Sequence, residues 1–411
     1  MAPSTGSTTR TGAAREAIAS ACEVHDAGAD DHVDGVVPSL VARPASTEQV
    51  SEVLRAASAH RLTVVPRGRA TKLSWGIPPS SADVVLDLSA MDQVLDHAAG
   101  DLIVATQAGA RLADVQDVVA RERQQLAVDE TVPGASVAGT LATNASGPRR
   151  VATGTMRDLL IGLTVVRADG VVAKAGGRVV KNVAGYDLGK LMVGSYGTLA
   201  VVTEALFRLH PLPETRRWVS ADFDDAGRAQ ELAQAVVHAQ VVPTAVEVDW
   251  PADNRGRLHV LLEGRPEGVE RRARTVRDLL GGTATTAEAA PAGWASYPWE
   301  SGQTALKLTC VLSGVGEVLA AAHEAGASVR GSAGEGVLYA ALTQREAEAV
   351  QRLRDVCAQR HGTAVVLDAP AAVKENVDVW GPIPALDLMR RIKERFDPER
   401  LLSPGRFVGG I

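Results

Sequence analysis

The sequence predicts an α+β protein of more than one domain. Short runs of β-branched residues alternate with helix-period segments from Val36 to the C-terminus, and Pro211-Leu212-Pro213 splits that alternation in two. Size agrees: 411 residues, 45% hydrophobic and 22% charged, suffice for two or three cores and are too apolar for a disordered chain.

In chain order, Met1–Thr11 is small and polar without an apolar run, so it reads as a frayed tail rather than a signal peptide or anchor. With a first helix it occupies 1–35. Ser46 and Gln49 form a capping box for a helix that carries Val50, Val53, Leu54 and Ala57 on one face and ends near His60. Strands are expected at Leu62–Val65, Val84–Leu88, Leu102–Thr106, Ile161–Val166, Val171–Lys174 and Leu199–Leu209, with a helix from Leu112 to about Arg123. These make a first unit, 36–213. A second α+β unit, 214–384, combines helices at Ala226–Ala239, Val269–Leu280, Val315–Ala325 and Glu346–His361 with strands at Ala245–Trp250, Leu258–Glu263, Leu306–Leu312, Val337–Leu342 and Ala364–Leu367. Gly281–Gly293 reads as a loose loop within it. The last segment, 385–411, is a helix with Leu388, Ile392 and Phe396 on one side that docks back on the body. Its cations from Arg390 to Arg400, balanced by Glu394, Asp397 and Glu399, read as a solvated face, and so do the acids Asp30, Asp31 and Asp34.

Composition excludes several functions. A formal charge of −6 argues against a general nucleic-acid binder. Cys22, Cys310 and Cys357 form no CxxC pair, so no disulfide framework, zinc or iron–sulfur site is expected in this chain, and a reducing cytoplasm fits best. His238, His259, His323 and His361 are scattered without HExxH spacing, so no metal is expected. The longest uncharged run, Thr131–Pro148, is too short and too broken by proline and glycine to span a membrane. Neither G-x-G-x-x-G after a strand nor a P-loop is present.

Three glycine-dense segments carry the chemistry: the turn at Pro66-Arg67-Gly68-Arg69-Ala70-Thr71, the stretch Pro133–Arg150, and Gly176–Thr203, all expected as loops at strand ends. A diphosphate needs converging donors and close backbone approach, which glycine permits, while hydroxyls and amides add directional bonds. Gly68, Thr71, Gly139, Thr140, Thr143 and Asn144 meet that description.

Together with Gly154-Thr155-Met156-Arg157-Asp158, Val180–Leu188, Gly194-Ser195-Tyr196-Gly197-Thr198-Leu199, Phe396-Asp397-Pro398 and Pro404-Gly405-Arg406, these segments resemble the PCMH-type FAD-linked oxidases of the vanillyl-alcohol oxidase family, and within it the FAD-binding subunits of bacterial glycolate oxidase. The resemblance implies a PCMH-type FAD-binding domain of two α+β subdomains, a cap domain and a C-terminal segment returning to the FAD domain. It implies FAD contacts at Pro66, Arg67, Gly68, Arg69, Ala70, Thr71 and Lys72, and at Pro133, Gly134, Val137, Gly139, Thr140, Thr143, Asn144, Ser146 and Gly147. It adds Arg157, Gly197, Val201 and Val202. With no histidine or cysteine in either flavin loop, the FAD is expected to be non-covalent.

Oxidation of a small 2-hydroxy acid such as glycolate or D-lactate is the implied reaction, beside a catalytic FAD-linked subunit and an iron–sulfur subunit, in the cytoplasm or held at the inner membrane face through partners. A stand-alone dehydrogenase and a non-catalytic flavin-binding assembly subunit are the alternatives. Relatives that oxidise 2-hydroxy acids place an arginine and a hydroxyl where this chain has Val180 and Ala184. Catalytic candidates are therefore Lys181, Tyr186 and Arg149, with Asn182 and Arg150 nearby; Arg149, Arg150 and Arg157 read equally well as structural ion pairs.

Overall fold

The computed structural model describes residues 13–178, 187–253, 255–282 and 284–411. A helix over 13–19 leads into a four-stranded sheet of β1 (Glu23–Asp26), β2 (Leu40–Arg43), β3 (Val64–Arg67) and β4 (Val84–Asp87). Their order is β1-β2-β4-β3, with β4 parallel to both β2 and β3. Such a connection needs a crossover, supplied by the helix Thr47–Ala59. Ser46 caps it as expected, its Oγ accepting from Gln49 N, but the reciprocal bond of a capping box is shifted by one residue: Gln49 Oε1 accepts from Ala45 N rather than from Ser46 N.

Seven further strands follow: β5 (Val94–Ala98), β6 (Ile103–Gln107), β7 (Gln124–Gln125), β8 (Leu160–Val166), β9 (Val172–Gly176), β10 (Val201–Arg208) and β11 (His210–Pro211). Five make an antiparallel sheet ordered β5-β6-β10-β8-β9, while β7 pairs with β11. These sheets share one core in which Leu54, Leu86, Met91, Leu141 and Phe207 are fully buried, each burial worth roughly 1.5–3 kcal/mol.

The remaining strands are β12 (Thr215–Phe223), β13 (Ala245–Trp250), β14 (Gly256–Gly264), β15 (Thr285–Ala287), β16 (Thr304–Thr309), β17 (Ser328–Ser332), β18 (Val337–Leu342) and β19 (Ala364–Asp368). They form one eight-stranded sheet, β15-β12-β14-β13-β17-β18-β16-β19. One face packs under the helices Ala226–Val237, Pro266–Leu280, Val315–Glu324 and Glu346–Gln359. Part of the other face meets the first half of the chain through Trp75, Ala145, Ala305, Val337, Tyr339 and Leu367.

The tail closes the fold. Leu401–Ser403 runs beside β3, with Val64 N donating to Leu401 O and Ser403 N to Val64 O. Ile392 and Phe396 pack on the first core, but Leu388 is half exposed.

Several expectations need correction. Within Pro133–Arg150 the chain forms a helix, Val137–Thr143, because Ser136 caps it by accepting from Gly139 N. The segment 281–293 contains β15, paired with β12, and β5 had no strand signal because its alternation is masked by Asp96 and His97. The tail cations do not form a uniformly solvated face: Lys393 is buried and donates to Asp397 Oδ2, Thr198 O and Leu402 O. The Asp30–Asp34 acids are not all solvated either, since Asp31 pairs with Arg67 and Asp34 with Lys374. No helix among the described residues is long and apolar enough to cross a membrane.

Candidate functional site: a glycine-lined cleft

A cleft, open at its mouth, lies where the turn after β3, the helix Val137–Thr143 and the start of β10 converge. Pro66 to Lys72, Gly139, Thr143, Gly197, Val201 and Val202 line it, joined by Leu73, Leu88, Ser136, Met192, Ser195, Tyr196 and Arg406. The two glycine-rich walls touch: a Cβ on Gly68 would lie 2.2 Å from Ser136 Oγ. At the other wall, Gly197 has φ +72°, and a Cβ there would lie 2.8 Å from Pro66 Cγ. Both glycines let the backbone approach a neighbouring side chain more closely than a Cβ would allow.

The turn's arginines are committed elsewhere. Arg67 donates to Asp31 at 2.7 Å and Asp87 at 2.9 Å, and Arg69 donates to the Gly109 carbonyl at 3.0 Å and to Asp92 at 3.2 Å. Their guanidinium groups tie the turn to its own sheet. What the turn presents instead is backbone: among the described residues, no protein acceptor answers the N–H groups of Gly68, Arg69, Ala70, Thr71 and Lys72. Successive N–H groups with a left-handed residue among them, here Ala70 at φ +59°, make an anion-binding concavity. Lys72 adds the charge. It is buried, its Nζ reaches only Thr71 Oγ1 at 3.3 Å, and burial pulls its amine down to about 8 against a weak pull upward from Glu130. A buried ammonium without a carboxylate partner is costly unless an anion completes it.

The opposite end is aromatic and cationic. Tyr196 packs against Trp380 and Phe407 with ring centroids 5.2 and 5.7 Å away, and burial pushes its phenol up. Arg406 is buried beside it, donating to the Leu73 and Trp75 carbonyls while its Nε has no partner among the described residues. A long molecule with a doubly charged middle and a flat ring system fits this sequence of surfaces.

The other expected contacts lie elsewhere. Val137 and Thr140 are buried beneath the cleft, and the Thr140 hydroxyl donates to Ser136 O. Asn144 caps the helix in left-handed conformation with its Oδ1 unpartnered. Pro133, Gly134 and Arg157 are exposed. Ser146 and Gly147 line a separate chamber. Arg149 is held by Asp129 at 2.7 Å and Gln125 at 2.6 Å, and Arg150 by Glu335 at 2.6 Å and Ser146 at 2.9 Å. Val180, Lys181, Asn182, Ala184 and Tyr186 lie outside the described residues. Sequence reasoning named Ser195, Tyr196 and Arg406 only as parts of motifs and passed over Leu88 and Met192, whose role depends on which strand ends meet.

Fold and cleft together define a dinucleotide-binding flavoprotein with FAD as cofactor. The comparisons agree. Residues 38–176 match the FAD binding domain and residues 380–407 the C-terminal domain of FAD linked oxidases. Glycolate oxidase subunit GlcD of Bacillus subtilis is 27% identical over 90% of this chain and 89% of its own length. The D-lactate dehydrogenase of Archaeoglobus fulgidus is 37% identical over 42% of this chain and 39% of its own. In fold, substrate-bound p-cresol methylhydroxylase superposes with TM-score 0.77 at 16% identity, covering 98% of this chain and 97% of that one. Alkyldihydroxyacetonephosphate synthase does so with TM-score 0.69 at 18% identity, covering 90% and 76%. The chain thus carries an FAD binding domain, shares the PCMH-type fold and is related to FAD-linked oxidoreductases.

Proposed function

We propose that this chain is the FAD-binding subunit of a glycolate oxidase-type complex, in which a 2-hydroxy acid such as glycolate or D-lactate becomes the 2-oxo acid and electrons pass through its flavin toward an iron–sulfur subunit. The similarity to GlcD along nine-tenths of the chain carries this reading. In it, 36–213 is the FAD-binding unit, 214–384 a cap, and 385–411 a segment returning to the FAD side.

When bound, FAD supplies the two-electron chemistry. The chain's residues hold it: Gly68–Lys72 N–H groups at the diphosphate with Lys72 as counter-charge, and the Tyr196–Arg406 end at the ring system. Attachment is non-covalent, in keeping with a cleft whose described lining has no histidine or cysteine.

A subunit that carries electrons rather than gripping substrate alone is supported by two features. Arg149 and Arg150, the arginines that offered a carboxylate grip, are bound to protein acids. The boundary next to Tyr196 is filled by Trp75, Tyr297, Trp299 and Tyr339, with Tyr297 and Trp299 stacked at 4.4 Å. A visible spectrum of the purified chain, followed by anaerobic glycolate, tests the reading. A flavin spectrum that glycolate bleaches only when partner subunits are present is expected. Rapid bleaching of the isolated chain overturns the subunit role, and a preparation colourless after incubation with FAD overturns the cofactor assignment.

A further inference from the structure

The segment that leaves the flavin turn, Leu73-Ser74-Trp75, is gripped from two distant parts of the chain. Arg406 of the tail donates through Nη2 to the Leu73 carbonyl at 2.7 Å and to the Trp75 carbonyl at 2.8 Å. The carbonyl between them, Ser74 O, accepts from Lys374 Nζ of the helix Ala371–Asn376. Asp368, the last residue of β19, accepts the Ser74 hydroxyl at 2.6 Å, and Leu367 O accepts Gly76 N at 2.8 Å. Three consecutive carbonyls are thus each bound by a cation, and the middle residue is held by the second unit through both its backbone and its side chain.

Lys374 itself is closed off. Its side chain is 2% exposed, and the three protons of its ammonium face three oxygens: Ser74 O, Asp34 Oδ2 at 2.7 Å and Asp368 Oδ1 at 3.3 Å. Withdrawing any one of these partners leaves buried charge uncompensated, so the grip closes or opens as a unit. One side of it lies on the cofactor site, since Leu73 and Arg406 line the flavin cleft; the other lies on the second unit, since no residue of 364–376 does. Backbone bonds join the two sides. Leu73 N donates to Ala70 O at 3.3 Å and Trp75 N to Lys72 O at 3.2 Å, so a displacement of Leu73–Trp75 moves the N–H groups that form the anion-binding concavity.

We infer that Lys374 and Asp368 are positioning residues for the flavin turn, through which FAD in the cleft and the docking of 364–376 on the first half of the chain stabilise each other. The inference rests on FAD binding in the cleft and is independent of the proposed subunit role and of any substrate. Linkage makes the effect reciprocal: the factor by which FAD favours docking is the factor by which docking favours FAD.

Amide hydrogen exchange of the full-length protein, read by mass spectrometry with and without saturating FAD, tests it. In the wild type FAD should slow exchange both at 68–72 and, roughly fivefold or more, at 364–376, which the cofactor does not touch. In Lys374→Met the slowing at 364–376 should vanish while that at 68–72 persists, and FAD affinity should fall by the factor lost. A brace without coupling behaves differently: Lys374→Met would then speed exchange at 364–376 equally with and without FAD. Ser74→Ala, a milder change that keeps the carbonyl and removes only the bond to Asp368, should shrink the FAD-dependent difference about threefold and serves if Lys374→Met does not fold. Exchange at 364–376 that FAD leaves unchanged in the wild type, or a difference that Lys374→Met and Ser74→Ala keep in full, overturns the inference. Protection at 68–72 separates the two failures: without it the FAD assignment falls and the coupling with it, whereas protection there and no change at 364–376 overturns the coupling alone.

Discussion

Gly68 and Ser136 are separated by less than the space one methyl group needs, since a Cβ on Gly68 would lie 2.2 Å from Ser136 Oγ and 3.1 Å from Ser136 Cβ. This contact brings the turn after β3 against the N-terminus of the helix Val137–Thr143. Ser136 cannot simply rotate away, because its Oγ caps that helix at Gly139 N, 3.2 Å distant. Gly68→Ala should therefore displace the cap, at about 1 kcal/mol, and part the walls, weakening FAD binding about tenfold. Adding Ser136→Gly removes the obstruction and should recover most of the affinity. Flavin fluorescence titration measures both; equal affinity of Gly68→Ala and wild type would contradict the geometry.

Lys72 makes FAD binding depend on pH. In the flavin-free protein its amine is held at about 8, below its ordinary 10.5, so the charged form is destabilising. That penalty, on the order of 3 kcal/mol, is present below pH 8 and relieved as pH rises from about 8 toward 10.5. A diphosphate restores the counter-charge and raises the amine again. FAD affinity should be flat below pH 8 and fall above it, with proton uptake on binding at pH 8.5. Calorimetry in two buffers of different ionisation enthalpy detects that uptake, and Lys72→Met should abolish it.

Asp397 anchors the tail beneath the cleft. It is fully buried, accepts from Lys393 Nζ at 2.7 Å and from the N–H groups of Leu401 and Leu402 at 3.0 and 2.8 Å. Removing one member of a buried pair costs about 3–5 kcal/mol. Asp397→Asn should lower Tm markedly, and Asp397→Leu more, because the leucine satisfies neither N–H group nor the ammonium. Because Lys393 also donates to Thr198 O beside the cleft, FAD release should occur at lower temperature in both variants.

Ala70 sits at φ +59°, where an L-residue is strained by roughly 1–2 kcal/mol, while glycine adds about 0.5–1 kcal/mol of chain entropy. Ala70→Gly should be neutral to slightly stabilising, raising Tm by about 1–2 °C in thermal unfolding without loss of FAD affinity.

Much of this was legible from local pattern. The Ser46 cap, the strand ahead of Pro66 and the tight turn at Gly68 all lie within a few residues of their own signals. The helix Val137–Thr143 was hidden because Gly139 and two threonines lower helix propensity, and its Ser136 cap counts only once the helix exists. Lys393 and Asp397 read as part of a solvated helix face. They are buried because two carbonyls and two N–H groups from distant or turning backbone complete them, partners no sequence spacing announces.

By itself the sequence determined the alternation of elements and the glycine turns that suit a diphosphate, since both arise from backbone freedom and periodicity over a few residues. Only the tertiary structure decided which cation stays free. Arg67 and Arg69 are consumed by Asp31, Asp87 and Asp92 while Lys72 is left over. The reason is physical: charge and hydrogen-bond satisfaction are set by neighbours in space, and those neighbours come from strands tens to hundreds of residues away.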